Sequence, residues 1–185
     1  MMKLYQFPFS HFCEKARWAL DYKRISYHTV NLLPGLHART VKKHAPKSCV
    51  PLLVDGPTVI QESSNIISYL DQRAPTPTLT PFDPVQAELA LKWESELDEQ
   101  VGITLRLWYY HQALPNREVT MQMMLDGAPW YASPLFALFY PRIREAMRES
   151  MGINPDTAEQ ARRCLYAMLQ RLDDVLADQR FLVGL

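Results

Sequence analysis

The sequence predicts an α/β plus all-α protein in two parts, a small mixed sheet with helices packed on it and then a purely helical half. Three observations carry that prediction. Segments with strand and helix periodicity follow one another as strand, helix, strand, helix, strand, strand, helix over residues 1–73. Pro75, Pro77, Pro81 and Pro84 then crowd a stretch that no helix or central strand could absorb, which marks a linker over residues 74–83. Beyond it, residues 84–185 are rich in helix formers with apolar stripes at helical spacing.

Lys3-Leu4-Tyr5-Gln6-Phe7 alternates polar and apolar side chains as a strand does, and Pro8 stops it. Ser10 then stands at an N-cap position, and Phe12, Ala16, Ala19 and Leu20 recur at helical spacing as one stripe. Residues 28–32 read as a second strand, Pro34-Gly35 as a turn, and residues 37–44 as a short basic helix with a thin apolar face. Val50-Pro51-Leu52-Leu53-Val54 and Thr58-Val59-Ile60-Gln61 flank Asp55-Gly56 as a hairpin. Glu62-Ser63-Ser64-Asn65 supplies caps for a helix carrying Ile66, Ile67, Tyr69 and Leu70 to about Arg73. In the second half, Asp83-Pro84 pairs an N-cap with proline at the first helical position and opens a helix interrupted only by Gly102 before Leu114. Further helices are predicted over residues 117–125, 135–151 and 156–177. The last is capped at Asn154 or Asp156, with Leu165, Met168, Leu169, Leu172 and Leu176 on one stripe.

With 185 residues and 48% hydrophobic content the chain can bury a core, which excludes a disordered chain. Twenty basic and twenty acidic residues leave no net field to draw in nucleic acid or an anionic membrane, so the expected partner is a small molecule or another protein. Cys13, Cys49 and Cys164 are odd in number and irregular in spacing, which points to a reducing compartment rather than a disulfide framework. The first residues lack the apolar core of a signal peptide, and the longest apolar patch, near Leu135 to Tyr140, is too short to span a bilayer. The expected location is cytoplasmic. His37, His44 and Cys49 lack metal-ligand spacing, and no glycine-rich phosphate loop occurs, so neither metal nor nucleotide is expected.

The turn before the first helix is where chemistry is expected. A hydroxyl at an N-cap lies beside unpaired backbone N–H groups and the positive end of the helix dipole, worth about 0.3–1 kcal/mol to an anion. A plain capped helix satisfies the same residues. Glu62-Ser63 likewise reads either as a capping pair or as an anion and ammonium contact at a second helix start.

Ser10-His11-Phe12-Cys13 at the first helix, Val50-Pro51 leading a strand, Glu62-Ser63 opening a helix and a proline-bearing linker into a helical half together resemble the cytosolic glutathione transferases over nearly the whole chain. The resemblance implies a thioredoxin-like N-terminal domain over residues 1–73, a linker over 74–83 and an all-helical domain over 84–185 that is incomplete relative to the family. It implies a glutathione transferase with a serine-type active site, in which Ser10 as the catalytic hydroxyl activates the glutathione thiolate for attack on small hydrophobic electrophiles or peroxides. By the same resemblance Pro51 is expected to be cis, with Val50 and Pro51 holding the cysteinyl part of glutathione and Glu62 and Ser63 its γ-glutamyl end. Many members carry Asn-Pro-x-Gly-Lys-Val-Pro where this chain has Ala45-Pro46-Lys47-Ser48-Cys49-Val50-Pro51, so the glycyl carboxylate is left to Lys47, His37 or Arg39. Arg180-Phe181-Leu182-Val183-Gly184-Leu185 resembles a segment after which members continue with a further helix.

The implied co-substrate is glutathione, with no metal, and the implied partners are a small hydrophobic electrophile and a second copy of the chain in a homodimer. A free thiol titrates near about 8.5, and lowering that by about two units takes about 2.7 kcal/mol of preference for the thiolate. One hydroxyl donor and one helix N-terminus together supply most of that. Serine in place of the first cysteine of a C-x-x-C pair argues against dithiol exchange, and Cys13 reads as a small buried residue. Trp108, Tyr109, Tyr110, Trp130, Tyr131, Phe136, Phe139 and Tyr140 serve either as core or as the lining of an acceptor pocket. Two other readings stand beside the transferase: a non-catalytic adaptor of the same fold, and a glutathione-dependent isomerase or thiol transferase.

Overall fold

The computed structural model describes every residue except 127, 129, 131 and 185, so Tyr131 and Leu185 lie outside the described residues. The chain divides into two compact units, residues 1–80 with 122–133, and residues 81–121 with 134–185.

The first unit is built on a four-stranded sheet of order β2-β1-β3-β4. Its elements are β1 (Met2–Gln6), α1 (His11–Tyr22), β2 (Tyr27–Asn31), α2 (His37–Val41), β3 (Leu52–Asp55), β4 (Thr58–Gln61) and α3 (Ser63–Arg73). This is the order read from the periodicities. β1 pairs parallel with β2 across the α1 crossover, and antiparallel with β3, which pairs antiparallel with β4. A two-residue turn closes the hairpin, and Gly56 supplies the positive φ of +58° that the turn requires. Burial alternates along β1, with Met2 and Leu4 inside and Lys3 outside. They pack with Ala16, Ala19 and Leu20 of α1, Leu53 of β3, and Ile66 and Leu70 of α3. On α1 the buried stripe is Cys13, Ala16, Ala19 and Leu20. Phe12 is half-buried, because Cys13 precedes Ala16 and Leu20 by three and seven residues and so faces the core.

The segment after α3 is fastened to this unit. Lys23, just past α1 and with a fully buried side chain, donates to the carbonyls of Ala74 and Pro77 at 2.7 Å each and pairs with Asp71 at 2.7 Å. Asp71 also accepts from the backbone N–H groups of Leu79 and Thr80 at 2.8 and 2.9 Å.

The second unit takes in α4 (Pro84–Leu97), α5 (Thr104–Ala113) and α8 (Pro155–Asp178), together with most of α6 (Arg117–Met124) and α7 (Ala132–Met151). Asp83 caps α4 by accepting from the Gln86 N–H at 2.9 Å, with Pro84 at the first helical position. The single helix expected from 84 to 114 is divided by a π-helical turn over Asp98–Ile103 that contains the buried Gly102. The Thr104 hydroxyl bonds back to the Gln100 and Val101 carbonyls, which competes with the regular ladder there. Asn154 and Thr157 form a reciprocal capping box for α8 at 2.9 and 3.0 Å. The buried stripe of α8 is Ala158, Ala161, Leu165 and Met168, while Leu169 and Leu176 are exposed. Tyr140 donates to the Leu114 carbonyl at 2.8 Å, and the buried Thr120 hydroxyl donates to Ala113 at 2.7 Å. Trp93 is buried beneath the Arg171 guanidinium, 4.6 Å from the ring centroid, and Arg171 also meets Glu96 at 2.6 Å. Among the described residues, no helix is long and apolar enough to cross a membrane.

Candidate functional site

Pro8 ends β1 and the chain turns through Phe9 into α1. Ser10 takes the extended N-cap conformation there and accepts from the Cys13 N–H at 3.4 Å. Because the Ser10 oxygen is the acceptor in that bond, its own O–H remains a donor. The turn is held from below. Arg17 donates to the Pro8 carbonyl at 3.0 Å and contacts Gln6 and Glu14, while the buried Gln6 donates to Asn31 at 2.9 Å. Ser10 donates its backbone N–H to the Phe7 carbonyl at 3.1 Å.

Ser10 also borders a cavity of about 980 Å³, together with Phe9, His11, Trp18, Tyr22 and Ile67. Of the predicted site residues only Ser10 lines it among the described residues. The others gather at the ends of β3 and β4. The Val50–Pro51 peptide is cis, and the buried Pro51 accepts from the Glu62 N–H at 3.2 Å. Glu62 holds a positive φ of +75° just before α3, a conformation rare outside glycine, and Ser63 is buried beside it. The Glu62 carboxylate is exposed and pairs with Lys47 at 2.7 Å.

The loop carrying Lys47 and Val50 is strapped down by two residues. Gln61 donates to the Lys47 and Cys49 carbonyls at 2.9 and 3.2 Å. His37 accepts from the Gly35 N–H at 3.2 Å through Nδ1, bonds the Ser48 backbone, and meets the edge of Phe7 at 4.9 Å between centroids. Burial pushes the His37 pKa down, and the Ser48 bond only partly offsets it, so the ring favours the neutral form. His37 is therefore seated between Phe7 and this loop, and Lys47 is engaged with Glu62. Arg17 and Gln61 were missed by sequence reasoning. The bonds by which they hold the turn and the loop, Arg17 to Pro8 and Gln61 to Lys47 and Cys49, run to backbone carbonyls, and no residue-type signal marks such bonds.

Both first-unit thiols are poor thiolates. Burial pushes Cys13 above its ordinary value against the lowering effect of Ser10, and Cys49 is raised by desolvation and by the Glu62 charge. Among the described residues no group of three or more His, Cys, Asp or Glu could hold a metal ion.

The family described as glutathione S-transferase, N-terminal domain, matches residues 4–78. Glutathione S-transferase Z2 of Arabidopsis thaliana is 42% identical over 85 residues, which is 44% of this chain and 38% of that protein. The tetrachloro-p-hydroquinone reductive dehalogenase of Sphingobium chlorophenolicum is 30% identical over 142 residues, 75% of this chain and 56% of that protein. The matches thus span well under two thirds of either relative. Among solved structures, a glutathione S-transferase of Methylobacterium radiotolerans in complex with glutathione sulfonate superposes with a TM-score of 0.69 at 22% identity, covering 99% of this chain and 70% of that one. The beta-etherase LigF of Sphingobium superposes with a TM-score of 0.71 at 22% identity, covering 98% and 76%. At that identity the likeness is one of fold. Residues 4–78 therefore match the glutathione S-transferase N-terminal domain, and the helices that follow share the fold of solved glutathione S-transferases.

Proposed function

We propose that the chain binds glutathione through its first unit and that Ser10 stabilises the glutathione thiolate for attack on a small apolar electrophile. The observation that carries this is the position of Ser10, whose hydroxyl caps α1 and borders the cavity of about 980 Å³. In the reaction the thiol proton leaves to solvent, the sulfur forms a bond to the electrophilic carbon, and the leaving group departs with its electron pair. Ser10 keeps its proton and donates it as a hydrogen bond throughout. Val50 and Pro51 take the cysteinyl part, Ser63 the γ-glutamyl carboxylate and Glu62 the ammonium, while Lys47 and His37 border the glycyl end. Residues 1–73 form the glutathione domain, and the chain acts as a cytoplasmic homodimer. The burial of Cys13 and the raised pKa of Cys49 favour this reading over thiol transfer, which needs an accessible thiolate.

Calorimetric titration with glutathione, followed by turnover of an aryl halide, tests the proposal. Binding with release of halide supports it, and absence of binding favours the adaptor instead. Glu62→Gln is expected to weaken glutathione by only about two- to five-fold, because in the parent the ligand ammonium gains this carboxylate at the expense of its exposed Lys47 pair, read in the same titration.

A further inference from the structure

The helical unit holds a second concavity of about 290 Å³, near the lower end of the range for small-molecule sites. Its lining includes Tyr110 and His111 of α5 and Arg144 and Arg148, one turn apart on α7. Leu114 and Ile153 supply apolar lining. No carboxylate lines it among the described residues.

The donors here outnumber their acceptors. Arg144 Nε is buried with no hydrogen-bond partner among the described residues, and an unmade bond at a buried guanidinium carries a free-energy cost. Arg148 reaches Glu145 only at 3.7 Å, with both side chains about half exposed, a weak pair. Arginines at i and i+4 also repel each other. Gln112 Nε2 lies 3.3 Å from His111 Nδ1, an arrangement that leaves the proton on the opposite ring nitrogen as a donor. Burial pushes the Tyr110 hydroxyl up to about 12, so it keeps its proton. The turn into α8 closes one end, where Pro155 has no N–H and the Asn154 side chain already caps the helix. A head group in the cavity is therefore met by the arginines rather than by the helix start.

We infer that this concavity is a second ligand site, which takes a small molecule with a carboxylate or phosphate head group and an apolar body. Two guanidinium forks match the oxygens of either head group, the Tyr110 hydroxyl and the His111 ring add donors, and Leu114 and Ile153 face the body. None of the residues lining it also lines the cavity beside Ser10.

Phenyl phosphate and phenylacetate serve as probes of the two head groups and benzyl alcohol as the uncharged control, titrated calorimetrically into the full chain at low ionic strength. At least one anion is expected to bind with Kd below about 1 mM, the tighter one identifying the head group, while benzyl alcohol gives no saturable binding. Arg144→Gln and Arg148→Gln are each expected to weaken that anion about ten-fold or more. Arg142→Gln removes the same charge from an exposed position outside the cavity and is expected to change Kd less than about two-fold. Ser10→Ala is expected to leave Kd unchanged. The inference is overturned if neither anion binds by about 10 mM, if Arg142→Gln weakens binding as much as Arg144→Gln, or if binding survives both cavity substitutions. Should Arg144→Gln lower the melting temperature enough to compromise the fold, the exposed Arg148 carries the test alone.

Discussion

Ser10→Ala is expected to lower kcat/KM for conjugation by about 10–100-fold and to move the thiol titration of bound glutathione toward its free value. A hydrogen bond to a charged group is worth about 1.5–3 kcal/mol, and each 1.36 kcal/mol is one pKa unit or one decade of rate. Ultraviolet titration of bound thiolate and the pH profile of kcat/KM read the two effects separately. The same substitution also removes the acceptor for the Cys13 N–H, which costs about 1 kcal/mol of stability. Ser10→Asp separates the roles, since aspartate caps as well as serine but has no proton to donate at neutral pH. It is expected to keep the stability and lose the activity. Full activity in Ser10→Ala with an unshifted thiol titration would remove serine from the mechanism.

Lys23→Met is expected to destabilise the chain by about 3–5 kcal/mol, the usual penalty for removing one partner of a buried pair. It leaves two carbonyls and the half-buried Asp71 carboxylate without their ammonium donor. Burial alone pushes the Asp71 pKa up, but Lys23 and the Leu79 and Thr80 amides outweigh it and hold the carboxyl below its ordinary value. That depression contributes stability which is full above the unfolded pKa of about 3.9 and is lost as pH falls through the lower folded value. Urea unfolding between pH 7 and pH 3 should therefore show a shallower acid limb in Lys23→Met than in the parent. A loss under about 1 kcal/mol at pH 7 would mean that water replaces the lysine without cost.

The element order and the two-part plan were legible because they rest on local signals: alternation in β1, the Asp55-Gly56 turn, and the Asp83-Pro84 and Asn154 helix starts. What local signals do not carry is tertiary. Lys23 reads as a solvated charge past a helix end, yet its carbonyl partners lie 51 and 54 residues further along. On α8 the periodic stripe extends to Leu169 and Leu176, which are exposed, because the packing partner and not the period chooses the face. The π-turn at Asp98–Ile103 has no pattern of its own beyond Gly102. At the candidate site the residue types near Ser10 and Glu62 could be read. The ties that place them, Arg17 to Pro8, Gln61 to Lys47 and Cys49, and His37 to Ser48, run to main-chain atoms, so the contacting residues carry no mark of them.

The contact between Lys47 and Glu62 has a consequence for how a ligand ammonium is admitted. In the proposed binding mode that ammonium displaces the Lys47 ammonium from the Glu62 carboxylate, so the exchange swaps like for like and leaves the count of neutralised charges at that end unaltered. Raising the ionic strength weakens the outgoing and incoming partnerships alike, and the two changes cancel to first order. Affinity measured against added salt should accordingly run nearly flat for this end of the ligand, and the evicted lysine, on its flexible stem, becomes available to whichever anionic group arrives with the ammonium.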